Sequence, residues 1–171
     1  MQVFSGVVWR HVPPGANPLH LGWILRAAGR WNRQGAYGCL YTSLTAHGAL
    51  AEYRKYQALA RVRVAASARD LVSIRINRIG PVLDLLDGDI RSDLRVDERT
   101  LTGDDPEDLE TCRAIADWAR SEGSSALLVP SAALSGAANL IVYIDAPARN
   151  IDLEDGGDRL AIDSELDLGM G

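Results

Sequence analysis

The spacing of apolar and polar positions changes several times along the chain, and each change predicts an element. Gln2 to His11 mixes β-branched and aromatic residues with little turn signal, which predicts an opening strand. From Val12 to Tyr37 three prolines, several glycines and no sustained period predict a long irregular loop. Gly38 to Thr42 (GCLYT) is a short strand. Ser43 or Thr45 then caps a helix running to about Ala60, on which Ala46, Ala49, Leu50, Tyr53 and Ala60 share one face. Gly48, Glu52 and Tyr56 form a row at the border of that face. A glycine there exposes backbone, so a ligand can be expected to approach closely beside the Glu52 carboxylate.

Arg69 to Asn77 alternates, Leu71, Ser73 and Arg75 against Val72, Ile74 and Ile76, and predicts a half-exposed strand. Gly80-Pro81 is expected to break the chain before a second strand from Val82 to Leu86. Asp87 to Asp104 reads as polar and turn-rich. Asp105-Pro106-Glu107-Asp108 carries a helix start, with Asp as the cap, Pro in the first helical position and acids near the positive end. Leu109, Cys112, Ile115, Ala116 and Ala119 supply an apolar stripe, and Gly123 a stop. Ser125 to Val129 and Asn139 to Ile144 are apolar strands. Strands, two substantial helices and long loops, without regular βαβ alternation, predict an α+β domain.

Composition narrows the class. With 171 residues, 47% hydrophobic and 24% charged, the chain can enclose a core and is not a disordered segment. No apolar run reaches membrane-spanning length. The N-terminus lacks the basic opening and apolar stretch of a secretory signal, so a cytoplasmic location is expected. Cys39 and Cys112 have neither metal-ligand spacing nor disulfide density and read as two buried thiols. The net charge of −5 is uneven: from Asn150 to Gly171 seven acids face one base, Arg159, leaving 17 basic and 16 acidic residues in the body. No basic stripe is visible, which argues against nucleic-acid binding. The acidic stretch is expected to be a solvated tail, or one that lies on a partner or on a second copy of the chain.

Candidate chemistry sits on isolated motifs. Arg30 in GRWN offers a planar fork of donors for phosphate or carboxylate, although a surface arginine beside a tryptophan that plugs the loop fits the same residues. Tyr41 in LYTS ends a strand beside a helix start and suits either a flat ligand or the core. Glu52 is the most suggestive carboxylate, half-buried near a glycine, where an electrostatic stabiliser would be placed. Ser131 follows a buried strand in LVPSA, without a nucleophile-elbow pattern and without a histidine to activate it. His11, His20 and His47 form neither a triad nor a metal set, and Asp84, Asp87 and Asp89 depart from calcium-loop spacing.

Taken in chain order, GRWNRQG, LYTS, ALAEY, LVPSA and ANLIVY resemble the RES-domain family, named for an Arg, a Glu and a Ser. The matching residues are Arg30, Glu52 and Ser131, with Tyr41 and Asn139, and the likeness runs from about Trp9-Arg10 to Tyr143. The resemblance implies an ADP-ribosyltransferase-like α+β domain over residues 1–149, with a split central sheet around an NAD cleft, followed by the acidic tail at 150–171. It also implies NAD+ as substrate with no metal, an Xre-type antitoxin as partner, and a toxin that depletes NAD+ by hydrolysis or phosphorolysis. Two other readings stand beside it: transfer of ADP-ribose to one protein, and a module that binds a nucleotide or partner without catalysis. On the resemblance, Glu52 would stabilise charge on the ribose and Arg30 would clamp the pyrophosphate. Tyr41 would pack on nicotinamide, Ser131 would bond the nicotinamide ribose or amide, and Asn139 would support the pocket. The chain departs from the family where a histidine or similar residue is expected after the helix glutamate; here Tyr53 and Tyr56 stand.

Overall fold

A computed structural model describes residues 2–21, 27–59, 68–144 and 151–162. Six strands and four helices follow in the order β1 (Gln2–Val12), β2 (Cys39–Ser43), α1 (Ala46–Leu59), β3 (Arg69–Asp84), α2 (Gly88–Asp93), α3 (Glu98–Thr102), α4 (Pro106–Ser121), β4 (Ala126–Pro130), β5 (Ala138–Tyr143) and β6 (Ile151–Ile162). The expected α+β class holds. Ala60, counted above on the helix face, lies outside the described residues, as do part of the long loop and the chain beyond Ile162.

All six strands belong to one sheet in the order β1-β2-β5-β4-β3-β6, and β1 also pairs with β3, so the sheet closes on itself like a barrel. Only the β3–β4 pairing is parallel among these described pairs; it is the crossover that carries α2, α3 and α4. β1 meets β3 along most of its length, with register shifts between Gln2 and Gly6, but touches β2 at Trp9 opposite Ser43. Beside that single pairing, cavities lined by Arg10 and His11 of β1 and Tyr41 of β2 form an opening between the two strands.

Strands β4 and β5 read as near-continuous apolar runs because both their faces are covered. Leu127, Val129, Ile141 and Tyr143 point to α4 and join Trp31, Tyr37, Leu101, Cys112 and Ala116 in one core. Leu128, Leu140 and Val142 point the other way, into the ring, with Val8, Leu40, Ile74, Ile76 and Ile79. A third cluster, Ala49, Leu50 and Leu71, seats α1 on the sheet.

Four expectations change. Gly80-Pro81 does not end a strand: the chain passes through it with a cis peptide and β3 continues to Asp84. Ser125 bridges the place, its amide donating to the Pro81 carbonyl (2.8 Å) and its hydroxyl to that of Gly80 (3.0 Å). The first half of β3 is also not half-exposed, since α1 covers Leu71 and β6 covers Ser73, both buried.

The polar stretch from Asp87 holds two short helices, whose starts are marked by Asp87 and Asp97 accepting from the amides of Asp89 and Thr100. The acidic stretch is not simply a solvated tail: Ile151–Ile162 is a strand on β3. Its acids meet donors of this same chain. Asp158 accepts from Ser73 (2.9 Å), Glu154 pairs with Arg75 (3.3 Å), and Arg159 reaches back to Asp70. Ile162 packs against the α1 cluster.

Candidate active site

The first turn of α1 sits hard against the end of β2. Thr45 caps it, its Oγ1 accepting from the Gly48 amide (2.9 Å). A Cβ on Gly48 would lie 3.1 Å from that oxygen and 3.3 Å from Ser43 Cβ. The space expected for a ligand is therefore taken by Ser43 and Thr45, and what the glycine allows is close seating of the helix. One turn on, that seating carries Glu52 over the ends of β4 and β5.

Two donors converge on one oxygen of Glu52: Asn139 Nδ2 at 2.6 Å and Ser131 Oγ at 2.7 Å, both on Oε1. Each donor is itself held. Ser43 Oγ donates to Asn139 Oδ1 (2.8 Å), which fixes the amide so that its nitrogen faces the carboxylate. The amides of Ala133 and Leu134 donate to Ser131 Oγ, both at 3.1 Å. One donated and two accepted bonds use the full capacity of a hydroxyl. Ser131 and Asn139 are buried, whereas Glu52 is half-buried and lines two cavities.

The GRWN segment is a tight turn. Gly29 and Asn32 bridge across it, the Gly29 amide donating to the Asn32 carbonyl (3.1 Å), and Arg113 Nε ties the Gly29 carbonyl to α4 (3.0 Å). Trp31 plugs into the core, so the plug and the projecting arginine coexist. The hydroxyl of Tyr41 locks the turn, accepting from the Trp31 amide (2.9 Å) and donating to Asn32 Oδ1 (2.7 Å). A Cβ on Gly29 would fall 2.2 Å from that hydroxyl, so only glycine fits there. Burial holds the Tyr41 hydroxyl well above its ordinary pKa, while the residue, 38% exposed, still presents ring surface to the cavities.

Arg30 projects beside Glu52 into a shared cavity of about 430 Å³, lined also by Tyr41, Lys55, Tyr56 and Asp104. Its guanidinium donates to the carbonyls of Gly103 and Leu101 (3.4 Å for the latter) and to Asp104 Oδ1 (2.6 Å). Lys55 Nζ reaches the same Asp104 (2.9 Å) and the Ala132 carbonyl (2.9 Å). A neighbouring cavity of about 200 Å³ is lined by Tyr41, Glu52, Tyr56 and Asn139 together with Arg10 and His11. It lies at the opening between β1 and β2.

Four of the five residues singled out in the sequence therefore gather around the carboxylate of the fifth: Arg30, Tyr41 and Asn139 line cavities with Glu52, and Ser131 bonds to it. Arg10, His11, Lys55 and Asp104 were missed. Arg10 is buried, donates to the carbonyls of Pro18 (3.1 Å) and His20 (3.0 Å), and has its pKa lowered to about 10 by burial and by Arg69. It stays a cation at neutral pH. Burial, then Arg69 and Arg10, depress His11 to about 4, so its imidazole is neutral there; its Nδ1 is buried without a hydrogen-bond partner among the described residues. A charged residue beside a histidine in an otherwise apolar strand was the available signal.

A positioned carboxylate, a nearby guanidinium and an exposed aromatic face share one cleft, an arrangement able to take a small anionic molecule with a flat ring. The chain belongs to the RES domain family, whose model matches residues 7–162. A probable NAD(+) phosphorylase of Mycobacterium tuberculosis (strain ATCC 25618 / H37Rv) is 33% identical over 148 residues, which span 85% of this chain and 68% of that protein. The fold matches the crystal structure of the M. tuberculosis MbcT–MbcA toxin–antitoxin complex, with a TM-score of 0.75 and 20% identity, over 95% of this chain and 87% of that one.

Proposed function

We propose that this chain cleaves NAD+ at the bond between nicotinamide and ribose, and that it is the toxin of a type II toxin–antitoxin pair. The observation that carries the reading is the convergence of Ser131 and Asn139 on one oxygen of Glu52 beside Arg30 and Tyr41. Nicotinamide leaves NAD+ as a neutral molecule, so the site needs no acid to protonate it. It must hold the dinucleotide and stabilise positive charge on the ribose, which a fixed carboxylate does. Glu52 is that carboxylate, held in place by Ser131 and Asn139. Arg30 binds the pyrophosphate, and the Tyr41 ring packs on nicotinamide. Because the Ser131 hydroxyl is already saturated, it acts through Glu52 and not on the ligand.

Phosphate is the favoured acceptor, which the name of the mycobacterial relative supports. The products are then nicotinamide and ADP-ribose carrying a new phosphate on the ribose carbon that lost it. Such a toxin depletes NAD+ in the cytoplasm until an antitoxin, of Xre type on the family resemblance, covers it; the toxin–antitoxin complex among the fold's matches supports an antitoxin partner. The opening between β1 and β2 would be the split of an ADP-ribosyltransferase-like sheet.

The test is NAD+ consumption by purified protein with and without phosphate. Glu52→Gln should keep the fold and lower turnover by roughly 10²–10³-fold. Wild-type turnover in that variant would remove Glu52 from the mechanism. Label from NAD+ appearing on protein instead of in small molecules would redirect the reading to ADP-ribosyl transfer.

A further inference from the structure

Lys55 stands one turn beyond Glu52 on α1 and faces Arg30 across the larger cavity, with Asp104 between them. The two cations are the sheltered partners, with side chains 22% and 13% exposed, and the anion is the wet one at 53%. Each cation also has a second anchor: Lys55 the Ala132 carbonyl, Arg30 the carbonyls of Gly103 and Leu101. If the carboxylate swings away, both cations stay where they are. Nor does Asp104 serve as the cap of α4, since Asp105 holds the cap position. Two anchored cations sharing one exposed, removable carboxylate beside the reacting group form a ready seat for a doubly negative ligand.

We propose that Lys55 and Arg30 together bind a phosphoryl group, and that Asp104 occupies their seat as a displaceable internal counter-ion. Binding is then an exchange of one anion for another. Free phosphate, or the pyrophosphate taken as a whole, brings about two charges and more acceptor oxygens than one carboxylate, so it displaces Asp104. Burial opposes the Asp104 charge, yet Lys55 and Arg30 hold its carboxyl below the usual value, so a charged competitor is present at neutral pH. The phosphoryl group is either the pyrophosphate of the dinucleotide or the free phosphate acceptor. The inference rests on the NAD+-cleaving reading.

Calorimetry on the full chain with two ligands, ADP-ribose and inorganic phosphate, tests it in wild type, Asp104→Asn and Lys55→Met. Asp104→Asn should tighten binding roughly two- to fivefold by removing the competitor, and Lys55→Met should weaken it about tenfold. A change for ADP-ribose alone assigns the seat to the pyrophosphate, and a change for phosphate alone assigns it to the acceptor. A purely structural ion pair would move both variants in the same direction. That result, or unchanged dissociation constants in variants with wild-type circular dichroism, overturns the proposal while leaving NAD+ cleavage standing. A wild type that binds neither ligand overturns the proposal, and one that also leaves NAD+ unconsumed overturns both.

Discussion

Replacing Ser131 by alanine separates two roles that a pocket serine can play. Its hydroxyl donates to Glu52 Oε1 at 2.7 Å and accepts from the amides of Ala133 and Leu134 at 3.1 Å each. A hydrogen bond to a charged group contributes about 1.5–3 kcal/mol. The two amides would lose an acceptor, but both residues are half-buried and water can replace it, so this part sits near the low end of about 1 kcal/mol. The expected loss is about 2–4 kcal/mol, or roughly 5–15 °C in Tm for a chain of this size. Glu52 would keep its bond to Asn139 and lose half of its orientation.

If Ser131 acts through Glu52, kcat for NAD+ falls about 10- to 100-fold while KM barely moves, because the ground-state complex does not touch the hydroxyl. Initial rates of nicotinamide release over a range of NAD+ concentrations, beside a thermal melt, measure both. A raised KM at constant kcat would refute the reasoning and return the hydroxyl to the ligand. So would a variant with unaltered Tm and unaltered kcat.

Gly29→Ala should lower stability by about 1–3 kcal/mol, because its Cβ would sit 2.2 Å from the Tyr41 hydroxyl and 2.8 Å from Asn32 Oδ1. A thermal melt checks this, and an unchanged Tm would mean that the turn yields without cost. His11 should impose a pH dependence on folding. Its folded pKa, about 4, lies below the ordinary 6.5, so the unfolded chain takes up the proton first. Stability is complete above about pH 6.5 and falls as pH drops towards 4, by about 3 kcal/mol at most. Denaturant titrations across that window should show the slope in wild type and lose most of it in His11→Phe.

Some of this protein was written locally. The period of apolar residues located α1, α4 and the first half of β3, and short apolar or β-branched runs located β1, β2, β4 and β5, because such signals are set by neighbours a few residues away. The order of Arg30, Tyr41, Glu52, Ser131 and Asn139, through its family resemblance, picked out residues that the fold brings together. What needed the folded molecule were relations between distant segments. The acidic stretch became β6 by pairing its backbone with the edge of β3, where Arg75 and Ser73 also meet its acids. Gly80-Pro81 lies inside a strand whose pairings resume at Val82, and Ser125, far along the chain, supplies donors to both carbonyls. Gly48 looked like an opening until Ser43 and Thr45 filled it. Lys55 and Asp104 carried no signal in the sequence, and α1 and the turn before α4 bring them together at Arg30. Hydrogen bonds and ion pairs across such separations depend on chain closure, and no local period carries that information.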